Sequence, residues 1–214
     1  ERIKDVAQIA SLPSHLGIRI RLSATSETKS KTLEKLNKAE TFFQKKINKL
    51  IYAKDDKPLE EIVGILLLEK NKKLAIAESC TGGLIGHRLT NITGCSKYFL
   101  AGIIAYNNQV KIKTLGVPKN IIEKFGAVSK ETAIAMAEGV REISGANYAL
   151  SVTGIAGPKG GTKNKPIGLT YIAISSECVS ECQKFIFSLD REKNKEIAAQ
   201  TALNLLRLEL LKIN

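Results

Sequence analysis

Apolar positions along the chain fall into two kinds of segment. Residues 74–77, 98–106, 148–153 and 169–175 are short, almost continuously apolar runs, the pattern of strands buried on both faces. Between them, residues 59–71, 82–90, 107–115, 118–125, 130–144 and 191–211 carry apolar residues at helical spacing. In the last, Ile197, Ala198, Ala202, Leu205, Leu206 and Leu210 share one stripe. Pro118 suits the first position of its helix, and Ser129 suits an N-cap. A further run at 183–187 follows 169–175 directly and predicts an antiparallel hairpin at the sheet edge. Strands alternating with helices in this way predict an α/β fold, an open sheet covered on both faces.

The first fifty residues follow another rhythm. Ile3, Val6, Ala7, Ile9 and Ala10 are spaced helically, which predicts a helix over residues 3–12 ended by Pro13. Residues 16–22 alternate as a half-exposed strand does. Residues 31–50 form an amphipathic helix with Leu33, Leu36, Ala39, Phe43, Ile47 and Leu50 on one face, and residues 51–53 close as a short strand. The charged, proline-containing stretch 54–58 is the linker. Two domains are therefore expected, residues 1–54 and residues 58–214.

Composition narrows the function classes. With 43% hydrophobic and 25% charged residues among 214, the chain has the makings of an ordinary folded core. No apolar run approaches the roughly 18 residues that span a bilayer, and no signal-peptide pattern opens the sequence, so a soluble, cytoplasmic protein is expected. The first residue is Glu1, not Met, from which a piece of a longer product is expected. Four cysteines form neither a disulfide framework nor a paired zinc-binding pattern, and no His/Asp/Glu cluster suggests a metal. The net charge of +12 raises the possibility of nucleic-acid binding. Its spread argues instead for a solvated basic surface: 13 Lys/Arg face 7 Asp/Glu in residues 1–57, and 20 face 14 beyond.

The densest grouping of reactive side chains runs from residue 74 to residue 111. Ser79 follows a buried strand and precedes a helix, the position of an ordinary N-cap and equally of an exposed nucleophile. Gly82 and Gly83 weaken a helix and make sense where the backbone is approached closely; Thr81 adds a second hydroxyl. The helix start offers N–H groups to an oxyanion or phosphate. A serine nucleophile needs a base, and the two histidines do not supply one. His15 lies in the other domain, and His87 sits about 12 Å along the helix at 1.5 Å per residue. Lys111, early in the helix after the next strand, is the remaining candidate, provided that burial lowers its pKa. Tyr106 stands at the end of the intervening strand, either as a proton relay or as a plain strand-end tyrosine. Cys80 points away from Ser79 and reads as structural. Glu78 reads as a carboxylate tying down the turn. The Gly-rich segment 154–168, with Lys159, Lys163 and Lys165, is either a flexible loop or a ligand cradle, and its place after a strand favours the second.

Residues 77–83 (Ala-Glu-Ser-Cys-Thr-Gly-Gly), 105–111 (Ala-Tyr-Asn-Asn-Gln-Val-Lys), 126–129 (Gly-Ala-Val-Ser), 154–158 (Gly-Ile-Ala-Gly-Pro) and 165–168 (Lys-Pro-Ile-Gly) together resemble the CinA C-terminal domain, the nicotinamide-nucleotide amidohydrolase family. The resemblance implies a three-layer α/β/α sandwich that hydrolyses nicotinamide mononucleotide to the acid and ammonia without metal or cofactor. It implies Ser79, Lys111 and Tyr106 as catalytic positions. It also implies a substrate site among Thr81, Gly82, Gly83, Asn108, Gly154, Ala156, Gly157, Pro158 and Lys165. Residues 1–54 are similar to the small KH-like α+β module that precedes this domain in the family. With a single glycine, Gly17, that module lacks a G-x-x-G clamp, which argues against nucleic-acid binding. A homodimer is the expected assembly. The alternative is a catalytically silent member that binds a nucleotide as a sensor.

Overall fold

The computed structural model describes residues 3–212, and the chain divides between Asp56 and Lys57 into two compact units. The first begins with a single helical turn, α1 (Ile3–Val6), followed by a hairpin of β1 (Gln8–Ser14) and β2 (Gly17–Ser23), and then by α2 (Lys29–Ile47). The helix expected over residues 3–12 is therefore mostly strand, and the order is helix–strand–strand–helix. Ser14 drives the difference: its Oγ accepts from Leu16 N and donates to Gly17 O, closing a tight turn that pairs Ser14 with Gly17 and Gln8 with Ser23. Pro13 is tolerated because both strands of a two-stranded sheet are edges. Thr28 caps α2, accepting from Lys31 N, and a 3₁₀ turn at Asn48–Leu50 ends it. Residues 51–53, expected as a strand, are irregular.

The second unit is the α/β domain. In chain order it comprises α3 (Leu59–Glu69), β3 (Leu74–Glu78), α4 (Leu84–Thr90), β4 (Phe99–Ile104), α5 (Asn108–Lys113), α6 (Lys119–Phe125), α7 (Lys130–Ser144), β5 (Tyr148–Gly154), β6 (Leu169–Ser175), β7 (Ser180–Ile186) and α8 (Arg191–Leu210). The sheet order is β4-β3-β5-β6-β7. β3 pairs in parallel with β4 and β5, while β6 runs antiparallel to β5 and β7, giving the expected terminal hairpin. Ser129 caps α7 and accepts from Thr132 N; Pro118 sits at the N-cap of α6, one position before the N1 place expected.

Strand alternation sorts the core. Leu74 and Ile76 of β3, with Leu150 and Val152 of β5, face Leu59, Val63 and Leu67 of α3, Ile85 and Leu89 of α4, and Ala198 to Leu210 of α8. Ala75, Ala77 and Ala149 face the opposite way, against Met136 and Val140 of α7 and Leu115 and Val117 before α6. Small residues on that side let α7 sit close to the sheet. The result is three layers, with the middle strand β3 covered on both faces.

From β3 the chain passes to β4 on one side and later returns to β5 on the other. The C-terminal ends of β3 and β5 therefore flank the switch point, where open α/β sheets leave a crevice. Ser79 stands at that point: its N–H donates to Val152 O, extending the pairing of β3 with β5 by one residue.

Candidate active site

The sequence leads into the site through Glu78. Its carboxylate accepts from Gly83 N and Ile85 N at 3.1 Å and from Gly86 N at 2.9 Å. A side chain five residues upstream thus performs the capping of α4 that Gly83, at φ +95°, cannot. Ser79 is consequently not the N-cap. The helix starts at Leu84, and Ser79 to Gly83 form a separate turn held by Gly82 N donating to Ser79 O. Released from capping, the Ser79 hydroxyl faces the other layer.

Its neighbour there is Lys111. Asn107 caps α5 by accepting from Gln109 N, which places Lys111 one turn inside and turns its side chain under the strand end. Lys111 is 1% exposed, and its Nζ lies 3.2 Å from Ser79 Oγ, 2.6 Å from Ala105 O and 3.3 Å from Tyr106 O. Burial of the ammonium in this pocket lowers the lysine pKa from its ordinary value of 10.5, opposed in part by the nearby Cys80. Among the described residues, no carboxylate is hydrogen-bonded to the amine. A neutral amine has two N–H donors and one lone pair, which matches two carbonyl acceptors and one hydroxyl able to donate.

Cys80 joins the core cluster on the α3, α4 and α8 side, away from Ser79. Burial pushes its thiol up to about 12. Gly154 makes room for it: a Cβ there would lie 3.0 Å from Cys80 Sγ and 2.7 Å from Leu169 O. Thr81 Oγ1 is buried and has no hydrogen-bond partner among the described residues.

Tyr106 meets Lys111 through its backbone carbonyl, not its phenol. The phenol oxygen instead accepts from Arg191 Nη2 at 3.0 Å, and Arg191 Nη1 donates to Gly157 O at 2.6 Å. The Gly-rich segment is tied to α8 a second time by Asn194 Nδ2, which donates to Ala156 O at 3.1 Å. Gly157, at φ +91°, lies against Ile167, so a side chain there would be doubly excluded. Pro158, after a cis peptide bond, is exposed, as is Asn108 on the first turn of α5. Lys165 is otherwise engaged: its Nζ donates to Phe125 O at 2.7 Å and Val128 O at 2.8 Å, fastening the loop to the start of α7. His87 is exposed beside Asn91, remote from the pair.

The structure thus joins Ser79, Lys111, Tyr106, Gly82, Gly154 and Gly157 around one strand edge. Sequence reasoning gave no site role to Arg191 and Asn194, both in the opening turns of α8. The available signal was electrostatic: Arg191, Lys193 and Lys195 crowd a helix N-terminus, where the macrodipole disfavours cations.

Fold and site define a class: a three-layer α/β domain with a serine–lysine pair at the C-terminal edge of its parallel strands. Residues 56–210 match the CinA C-terminal domain, and the chain belongs to the CinA family. It is 43% identical over 209 residues to a CinA-like protein of Chloroherpeton thalassium, covering 96% of this chain and 50% of that protein. A CinA-like protein of Dictyoglomus thermophilum is 38% identical over 219 residues, covering 100% of this chain and 53% of the relative. The chain spans about half the length of these curated relatives. Among solved structures, the competence/damage inducible protein CihA from Agrobacterium tumefaciens superposes with a TM-score of 0.69 at 36% identity, covering 72% of this chain and 93% of that one.

Proposed function

We propose that the α/β domain is a metal-independent amidohydrolase that removes ammonia from nicotinamide mononucleotide, with Ser79 as nucleophile and Lys111 as general base. The observation that supports this most is the surroundings of Lys111 Nζ: buried, bonded to two carbonyls and 3.2 Å from Ser79 Oγ, with no acid bonded to it among the described residues to hold it charged. The nicotinamide ring and its nucleotide come from the family resemblance.

Each step has an occupant for its proton. Lys111 takes the Ser79 hydroxyl proton as Oγ bonds to the carboxamide carbon. The ammonium so formed has three N–H groups, two of them already directed at Ala105 O and Tyr106 O. It returns one proton to the departing amide nitrogen as the C–N bond breaks, releasing ammonia and leaving an ester on Ser79. Water, deprotonated by the same amine, then cleaves the ester to the carboxylic acid and restores both side chains. The N–H groups of Gly82 and Gly83 are used by Ser79 O and Glu78, so they do not serve the oxyanion. The N–H groups of Cys80 and Thr81 donate to no carbonyl among the described residues but are directed at the Cys80 sulfur.

Ammonia release from nicotinamide mononucleotide tests the assignment. Ser79→Ala lowers the rate by about 10³-fold or more, and Lys111→Ala by about 10²–10⁴-fold, with folding retained by circular dichroism. Turnover that survives Ser79→Ala rejects the nucleophile. Saturable nucleotide binding without turnover in the unmodified protein establishes the silent, sensing alternative instead.

A further inference from the structure

The stripe of α8 that packs on the sheet runs up through Ala202 and Ala198 and ends, one turn higher, on a polar residue, Asn194. Asparagine is a weak helix former, and here it is 2% exposed, so the position costs stability unless its side-chain amide is fully used. Its Oδ1 accepts from Leu189 N at 3.2 Å, and its Nδ2 donates to Leu189 O at 2.9 Å and to Ala156 O at 3.1 Å. Two of these bonds fasten the chain just before α8. The third reaches across 38 positions into the Gly-rich segment. Ala156 and Gly157 lie beyond the end of β5, where no strand ladder holds the peptide between them. That peptide is trans, and a trans peptide sets its N–H opposite its C=O. With Ala156 O drawn to α8, Gly157 N–H therefore points away from that helix; the Ser79 hydroxyl likewise faces the layer opposite α8, toward Lys111. Gly157 is buried, yet its N–H donates to no acceptor among the described residues. A buried backbone donor without a partner is rare in a folded chain.

We propose that Asn194 is a positioning residue: it orients the Ala156–Gly157 peptide so that Gly157 N–H donates to an oxygen of the bound substrate. Asn194 acts through that peptide and touches no substrate itself, since both hydrogens of its Nδ2 are taken by Leu189 O and Ala156 O. The sense of its amide is fixed, because two carbonyls face the nitrogen and an N–H faces the oxygen. On the other side of Gly157 its carbonyl is held by Arg191, which also bonds to the Tyr106 phenol, so the donor is set beside the strand end whose carbonyls hold Lys111. Without the bond to Ala156 O the peptide is free to rotate, and the donor loses its aim. The inference rests on the deamidase reading only for the identity of the substrate.

Two variants and one exchange measurement test this. Asn194→Leu keeps the approximate size of the side chain and removes all three bonds; Asn194→Asp keeps the acceptor for Leu189 N and loses both donations. In steady-state ammonia release from nicotinamide mononucleotide, each raises KM about 10-fold and leaves kcat within about 3-fold of the unmodified protein. A structural role alone lowers the melting temperature and kcat together, with the KM of the surviving enzyme unchanged, and that result overturns the proposal. The second measurement leaves Asn194 intact, so it does not depend on either variant folding. In Ser79→Ala, which binds without turnover, amide hydrogen exchange at Gly157 read by NMR slows about 10-fold or more on saturation with the mononucleotide. Unchanged exchange at saturation overturns the donor while leaving the deamidase assignment standing. Slowed exchange at Gly157 together with no ammonia release from the unmodified protein does the reverse.

Discussion

At the residue scale, the controlling quantity is the cost of burying an amine. Lys111 is charged in the unfolded chain up to its ordinary pKa of 10.5 and resists charging in the fold, because desolvation lowers its folded value. Two consequences follow with definite sign. With Lys111 as the base proposed above, the rate of ammonia release is expected to rise with pH through its lowered folded pKa, as the free amine becomes available; a pH–kcat profile checks this limb. Stability also rises with pH, from the folded pKa up to 10.5, since across that window the unfolded state binds the extra proton. Lys111→Met removes that slope and raises stability at neutral pH, which urea unfolding at several pH values measures. A profile of stability identical in the two proteins contradicts the depressed pKa. The candidate pair itself is legible in sequence, through the lack of a histidine within reach of Ser79. The network around it is not. Arg191 bonds to Tyr106 across 85 positions, and no local pattern announces such a contact.

At the element scale, the turn between β3 and α4 is held by one carboxylate. Glu78→Ala leaves three backbone donors without their acceptor, two of them part-buried and one fully buried. The expected loss is about 3 kcal/mol, read from the urea midpoint, with activity falling because Ser79 shares the turn. Glu78 reads from sequence as a structural carboxylate, but the helix it serves begins later than its pattern predicts. Gly82 and Gly83 look like a helix's first residues, whereas their positive φ values keep them in the turn. A similar local ambiguity hides β1. Ile3, Val6, Ala7 and Ala10 satisfy a helical period, and only the Ser14 to Gly17 turn decides that Gln8–Ser14 pairs with β2. By contrast α7, with its Ser129 cap, and α8, with its long apolar stripe, both form as expected.

At the scale of the whole molecule, the two units hold unequal cores. The α/β unit contains nearly all buried apolar side chains, whereas among the described residues the first unit buries only Ala7 and Ala39 and exposes Ile9, Leu12, Ile18 and Leu50. Its hairpin and helix are thus weakly supported, as small units without staples are. Residues 57–214 expressed alone are expected to fold and to melt within a few degrees of the α/β transition of the full chain. Calorimetry of the full chain is expected to place the first unit's transition lower. A single coincident transition, or an unfolded 57–214 fragment, contradicts this independence.

The buried thiol next to Ser79 has a practical meaning for chemical labelling. With its pKa pushed up to about 12, Cys80 is ionised to only ~10⁻⁵ at pH 7, and it is enclosed by the core. Iodoacetamide applied to the folded protein is therefore expected to alkylate the exposed Cys178 and to spare Cys80, as peptide mass mapping reports. A chain whose critical turn reads Ser-Cys would then tolerate oxidants and alkylating agents that silence thiol enzymes. The cysteine beside Ser79 is a packing group of the core.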